Sequence, residues 1–241
     1  MMDALWHGLL GSFCALCQVP LSRPDAHRQL CRYCLADLPW HPQPESEGRR
    51  QENGDHLHFA AHPTPQTTLQ PNIHRTITPL AYSGDARRWV LEAKRENGLI
   101  AARLLGVLLE ESLLEAYPFP AQRPTRLIPV PLSSRRLRER GHNQAALIAA
   151  PVARGLRIRL DRTSARRIRH TPIQPGMNTA ARAANLQGAF SCHGMLCGER
   201  VAIIDDVLTT GATSTELARV LLDAGAAEIH LWCATVSQHS P

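Results

Sequence analysis

Aromatic side chains are scarce in this 241-residue sequence, at 5% of positions, so the core must be built mainly from Leu, Ile, Val and Ala. No run of 18 apolar residues occurs, so neither a membrane-spanning helix nor insertion into a membrane is expected. The first eleven residues are weakly apolar. They lack a basic leading segment and carry Asp3 and His7, so no secretion signal is expected and the expected compartment is the cytoplasm. Seven cysteines is an odd number, and without an export signal it points to metal binding or free thiols rather than a disulfide framework. The net charge of +6 rests almost wholly on arginine, whose planar fork of donors suits phosphate oxygens. Such a balance favours anionic partners, whether nucleic acid or a small phosphorylated ligand. Arginine standing in for lysine on solvated faces is the plainer source of the same count.

What is present is an ordinary globular composition, 44% hydrophobic and 20% charged, in three zones. Residues 1–40 hold four cysteines. Residues 41–75 are polar and rich in Pro, His, Gln and Glu, which reads as a linker. From 76 to 241 the pattern is regular. Apolar spacing predicts helices over 85–96 and 101–116, a strand over 126–130, and a helix over 141–154 interrupted at Pro151. A strand over 156–160 is followed by a long loop over 165–188. A strand over 201–205 ends in acid, a helix covers 213–224, closed by Gly225, and a last strand covers 228–233. This alternation implies an α/β fold, a mainly parallel sheet flanked by helices on both faces, with ligands at the carboxyl ends of the strands.

The strongest motif is VAIIDDVLTTGAT, residues 201–213. A hydrophobic strand delivers Asp205 and Asp206, and a loop of small residues then runs into a helix. The loop amides and the helix amino terminus suit a phosphate, Gly211 permits an unusual φ, and Thr209, Thr210 and Thr213 add hydroxyl donors around Ala212. The two carboxylates repel phosphate but accept hydrogen bonds from a sugar diol. Together they describe a ribose 5-phosphate pocket. A capped helix after a strand, with Thr213 as N-cap and Asp206 exposed, is the plainer alternative, and the complete ordered string argues against it.

Upstream, the strand LIPVP (127–131) leads into Ser133, Arg135, Arg136, Arg138, Arg140, Gly141, His142, Asn143 and Gln144. Four arginines within six residues, opening a helix after a strand end, are candidates to hold a pyrophosphate; a solvated basic face is the alternative. Arg167 and Arg169 lie in the predicted loop just before the acidic strand. There they could close as a lid over a departing pyrophosphate.

The DDVLTTGAT string resembles the signature of the type I phosphoribosyltransferases. That resemblance implies binding of phosphoribosyl pyrophosphate (PRPP) with Mg2+, the acids on the ribose hydroxyls and residues 209–213 on the 5-phosphate. The ordered set PVPL, RGHNQA, the Arg loop, NLQGAF and DDVLTTGAT resembles the ComF/GntX family, bacterial proteins linked to DNA uptake and utilisation. This resemblance runs from about residue 80 to the end and includes Tyr82 and the region 92–94, similar to the family's Leu-Lys helix. It implies either transfer of phosphoribosyl to an acceptor, read by residues 1–40 and 76–116 acting as a hood, or a PRPP- or nucleotide-sensing module. A DNA-binding accessory using the basic face, with partners in the DNA-uptake machinery, is a third reading.

Cys14 and Cys17 form one CxxC pair, Cys31 and Cys34 another, thirteen residues apart. Two such knuckles can place four thiolates around one tetrahedral Zn2+, and metal would stabilise a segment with few apolar residues. Disulfides or redox pairs are the alternative. A zinc-ribbon-like start is also what the ComF/GntX resemblance implies. Many relatives carry a further CxxC pair before the transferase domain, and here that region is the polar 41–75 stretch. Cys192, Cys197 and Cys233 are spaced wrongly for the zinc site.

Overall fold

Strands as short and apolar as these are stable only when both faces are covered. The computed structural model describes residues 13–41, 72–169, 171 and 179–237. The amino-terminal cysteine segment contains two short helices, α1 (Arg23–Ala26) and α2 (Arg32–Ala36). Then follow β1 (Arg75–Ile77), β2 (Leu80–Ala81), α3 (Gly84–Glu92), α4 (Leu99–Ala116) and β3 (Arg126–Pro129). Next come α5 (Ser134–Arg140), α6 (Gln144–Leu156), β4 (Arg159–Leu160), β5 (Ala165–Arg167), α7 (Thr179–Leu186) and β6 (Phe190–Cys192). The chain finishes with β7 (Arg200–Leu208), α8 (Ala212–Asp223) and β8 (Glu228–Val236).

The sheet runs β1–β8–β7–β3–β4, with β2 also on β8, and every pair is parallel. Side chains alternate between faces with a period of two. On β7, Val201 and Ile203 join the core built around Leu217, Ala218 and Leu221 of α8. Ala202 and Ile204 join the opposite core with α4 and α6. The mainly parallel sheet with helices on both faces is the architecture expected from the sequence.

Chain direction fixes where a ligand can sit. From β3 the chain crosses to β4 on one side, and β7 then pairs on the other side of β3. The sheet order therefore reverses between β3 and β7. The crevice beyond their carboxyl ends is the place such folds leave open.

Helix α4 is buried along most of its length, with Leu104, Leu105, Leu108, Leu109 and Leu113 inside. At Gly106 an added Cβ would lie 2.5 Å from Ile148 O and 2.5 Å from Pro151 Cγ, so α4 and α6 meet almost backbone to backbone there. This explains why Pro151 does not interrupt α6, against expectation. The helix runs unbroken from Gln144 to Leu156 because packing on α4 outweighs the lost hydrogen bond.

Three other expectations are corrected. Residues 165–188 are not a loop throughout: β5 pairs antiparallel with β6, and α7 closes the segment. The acidic strand does not stop at Asp205 but continues to Leu208, because β8 stays paired beside it as far as Val236. The strand expected over 156–160 is only Arg159–Leu160, since α6 extends to Leu156. Of the expected linker, residues 42–71 lie outside the described residues.

The cysteine segment joins the main core. Cys14, Leu30, Cys31, Leu35 and Leu38 are buried in the same cluster as α4 and α6. Arg28 pairs with Glu111 of α4. The backbone of 39–41 bonds to that of 79–81, through His41 N to Pro79 O (2.8 Å) and Ala81 N to Pro39 O (2.7 Å).

At the end of the sheet away from the crevice, His230 is buried in an aromatic cluster. Trp232 Nε1 donates to Tyr117 Oη (3.4 Å), and Tyr117 Oη shares a hydrogen bond with His230 Nδ1 (2.7 Å). Burial, then the nearby His74 and Arg75, pull its pKa down to about 4, against the opposing pull of Glu228. Because the unfolded imidazole takes up its proton near pH 6.5, stability falls as pH drops from there towards 4. We expect this group to cost about 2 kcal/mol of stability between pH 7 and pH 5. Urea unfolding at both pH values checks it: His230→Phe should lose most of the difference, and an unchanged difference would refute the assignment.

Candidate functional site

The site is organised by the last residues of β7. Four fully buried residues, Val201 to Ile204, anchor the strand, and it then carries Asp205 and Asp206 into the crevice. Alternation turns the two acids to opposite sides of the sheet. Asp206 lies on the α3–α4 side, where Lys94 Nζ approaches its Oδ2 at 2.9 Å. Each carboxylate is also held by the next backbone amide, Asp206 N donating to Asp205 Oδ1 (2.9 Å) and Val207 N to Asp206 Oδ1 (3.0 Å). Burial first, and then the Asp206 charge, raise the Asp205 pKa well above the usual carboxylate range, while Lys94 works in the opposite sense.

Gly211, at φ 73°, turns the chain from β7 into α8. A left-handed φ suits glycine, and with no side chain at this N-cap the first amides of α8 receive no side-chain acceptor from it. Thr209, Thr210, Ala212 and Thr213 line a cavity of about 290 Å³ together with both acids. Gly211 shapes the turn behind them rather than the wall. Thr213 is not the helix cap.

The basic wall comes from two elements. Arg136 and Arg140 line the cavity from α5, whose amino end is capped by buried Ser133 accepting from Arg136 N (3.4 Å). Arg135 points away and pairs with Glu139 on the exposed face (2.8 Å). From β5, Arg167 reaches the cavity over the Phe190 ring, 5.4 Å from its centroid, and donates to Thr171 Oγ1. Burial, then the neighbouring Arg136, lower its proton affinity, and Asp205 supports it. Arg169 does not line the cavity. It donates to Asn185 O (2.8 Å) and Gln187 O (2.6 Å), holding the end of α7.

The structure thus brings together Asp205, Asp206, the Thr loop, Arg136 and Arg167, and leaves Ser133, Arg135, Gly211 and Arg169 as framework around them. Sequence reading missed Lys94, Gln144, Thr171 and Asn185 as cavity residues. Lys94 carried a signal, being the only lysine in the chain. Between Arg140 and Gln144, residues 141–143 are the scaffold. Gly141 is left-handed (φ 74°) and ends α5. His142 Nε2 donates to Ala93 O (2.8 Å), next to Lys94. Asn143 caps α6 through Ala145 N (2.9 Å) and donates to Val130 O (3.0 Å), tying the helix to the end of β3.

In the amino-terminal segment, Cys14, Cys17, Cys31 and Cys34 place their sulfurs within 4.8 Å of one another. Zinc–sulfur bonds of about 2.3 Å arranged tetrahedrally require sulfurs roughly 3.8 Å apart. The Cys17–Cys31 separation of 3.6 Å fits, so the cluster is compatible with a structural zinc ion.

No family model matches the chain. It is 40% identical over 164 residues to the DNA utilization protein YhgH of Escherichia coli O6:H1, covering 68% of this chain and 72% of that one. The chain belongs to the ComF family. This ComF-family chain is also 40% identical over 134 residues to YhgH of Salmonella typhimurium, spanning 59% of that protein's length and 56% of its own. It is 38% identical over 112 residues to competence protein F of Haemophilus influenzae, covering 45% of this chain and 49% of that one. Among solved structures, it resembles a glutamine PRPP amidotransferase from B. subtilis at TM-score 0.42 and 22% identity, covering 68% of this chain and 32% of that one. It also resembles a purine phosphoribosyltransferase from Pyrococcus horikoshii at TM-score 0.37 and 20% identity, over 58% and 76%. Among the described residues, no helix is long and apolar enough to cross a membrane.

Since Asn143 both caps α6 and ties it to β3, Asn143→Ala should destabilise the fold by about 1–2 kcal/mol. Urea denaturation measures this, and a loss below about 0.3 kcal/mol would contradict the double role.

Proposed function

We propose that this ComF-family protein binds PRPP in the crevice between β3 and β7 and transfers its phosphoribosyl group to an acceptor, releasing pyrophosphate. The observation that carries this reading is one cavity shared by two adjacent carboxylates, a Thr loop at a helix start without a side-chain cap, and Arg136, Arg140 and Arg167. In it Asp205 and Asp206 accept the ribose hydroxyls, and Thr209–Thr213 with the first amides of α8 take the 5-phosphate. Arg136, Arg140 and Arg167 face the pyrophosphate and stabilise its departing charge, with no protein nucleophile needed. Arg169 keeps α7 in place as one wall of the pocket.

The acid pair fits a hard divalent cation. Asp206 Oδ2 is buried and, among the described residues, receives no aligned hydrogen bond, only the Lys94 charge. Magnesium, when bound, would neutralise the pyrophosphate oxygens. The cysteine cluster would hold zinc and fasten residues 13–41 to α4.

The names of the relatives, DNA utilization and competence, support a role in DNA use. They favour a second reading, in which the same pocket senses PRPP or a nucleotide for partners that process DNA. Release of pyrophosphate in the presence of an acceptor would separate transfer from sensing.

Asp205→Asn with Asp206→Asn should weaken PRPP binding at least about 100-fold, since two charge-assisted hydrogen bonds are lost, while the protein stays folded. Calorimetric titration with PRPP and magnesium tests this, and a folded double variant that binds normally would remove the ribose assignment. Metal analysis should find about one zinc per chain, lost in Cys14→Ser. Freshly purified protein without zinc would overturn that claim.

A further inference from the structure

The acid pair is not open in this structure: an ammonium stands against it. Lys94 Nζ lies 2.9 Å from Asp206 Oδ2, yet that oxygen counts no aligned hydrogen bond, so the contact is one of charge rather than direction. The partners differ in freedom. Asp206 is 8% exposed in its side chain and fixed on β7, whereas Lys94 is 29% exposed on the turn after α3. The backbone of that turn is fixed. His142 holds Ala93 O, and Gly98 packs so closely that an added Cβ would lie 2.4 Å from Glu92 O. A rigid root thus carries a mobile four-carbon stem. Lys94 also borders a second cavity of about 910 Å³, whose wall includes the exposed Glu96. That wall holds the carboxylates of Glu92, Glu96 and Glu139 alongside Arg88, Arg95 and Arg140.

Residue choice supports the same point. Every other basic position of this type in the chain is arginine, and arginine would grip a carboxylate with a two-pronged fork. A point charge on a flexible stem gives the same neutralisation but leaves more readily.

We propose that Lys94 is an exchangeable counter-ion for the acid pair: it occupies Asp206 in the unliganded protein, excludes free divalent cations, and swings into the neighbouring cavity when a ligand takes the carboxylates. It rests on the ribose reading above only for the identity of that ligand. A bare divalent cation meets Lys94 together with Arg136, Arg140 and Arg167, and enters only with a phosphorylated ligand that neutralises them. Lys94 is a positioning residue in this scheme, acting through Asp206.

The test uses Mn2+ alone, followed by electron paramagnetic resonance on the full chain. Lys94→Met should bind Mn2+ at least tenfold more tightly than the wild type, Lys94→Arg should restore exclusion, and adding Asp206→Asn to Lys94→Met should abolish the gain. A Lys94→Met protein that binds Mn2+ no better than the wild type overturns the proposal, since a purely structural lysine would create no new cation affinity. Should that variant fail to fold, 13Cε-lysine labelling of the wild type decides instead, because a single lysine yields a single side-chain resonance. It should differ from that of Asp206→Asn, and identical resonances would refute the ion pair. PRPP enters neither arm. Failure of the PRPP reading shows separately, as absent PRPP binding by the wild type in calorimetry.

Discussion

Everything in this molecule depends on β7 being paired on both sides. β3 is paired with it as far as Ile204 and β8 as far as Leu208, with a core on each face, so the strand does not end where its run of buried hydrophobic residues ends. It carries two carboxylates past the core into the crevice. That crevice is open because the connections leaving β3 and leaving β7 lie on opposite faces, α6 in one core and α8 in the other, so no crossover covers it. Sheet topology and acid placement are thus one fact. Further from the site, Arg126 of β3 is buried between Asp161 and Glu199 and fastens the amino ends of the strands. The register that aims Asp205 and Asp206 is held from below as well as from the sides.

The site gathers charge of both signs within one small cavity. Arg136 and Arg167 burden each other, and Asp205 and Asp206 do the same, while Lys94 and the Asp205–Arg167 attraction offset part of both penalties. Such an arrangement is poorly satisfied alone and improves when a ligand brings phosphate to the arginines and hydroxyls or a cation to the acids. Asp161, by contrast, accepts from Thr163, Ser164 and Arg126, and its carboxyl is held well below the ordinary range despite its burial. The contrast between a completed network and an incomplete one separates framework from function here.

Much of the fold was legible because its signals are local. The apolar run of 201–204, the leucines of α4 and the Gly225 stop need only near neighbours to take their structure. The failures share a cause too. Pro151 looked like a break because intrinsic helix preference disfavours it, and the Gly106 contact that outweighs this lies 45 positions away in sequence. The segment 165–188 looked irregular because β5 is three residues long and finds its partner only in β6.

For the site, adjacency along the chain determined as much as it could. Asp205, Asp206 and the Thr loop form a contiguous string, and a strand followed by a glycine turn and a helix places them together whatever surrounds them. The two CxxC pairs likewise announce a cluster by spacing alone. Only tertiary structure decided which arginines face the crevice: Arg135 and Arg136 are neighbours in sequence but sit 100° apart around a helix, so one meets Glu139 and the other the cavity. Tertiary structure alone also brought Lys94 to Asp206, across more than a hundred residues, because the turn after α3 is clamped by His142 at the mouth of the same crevice. Periodicity reports which residues share an element. Which elements share a cavity follows from the order of strands in the sheet, a property of the whole chain.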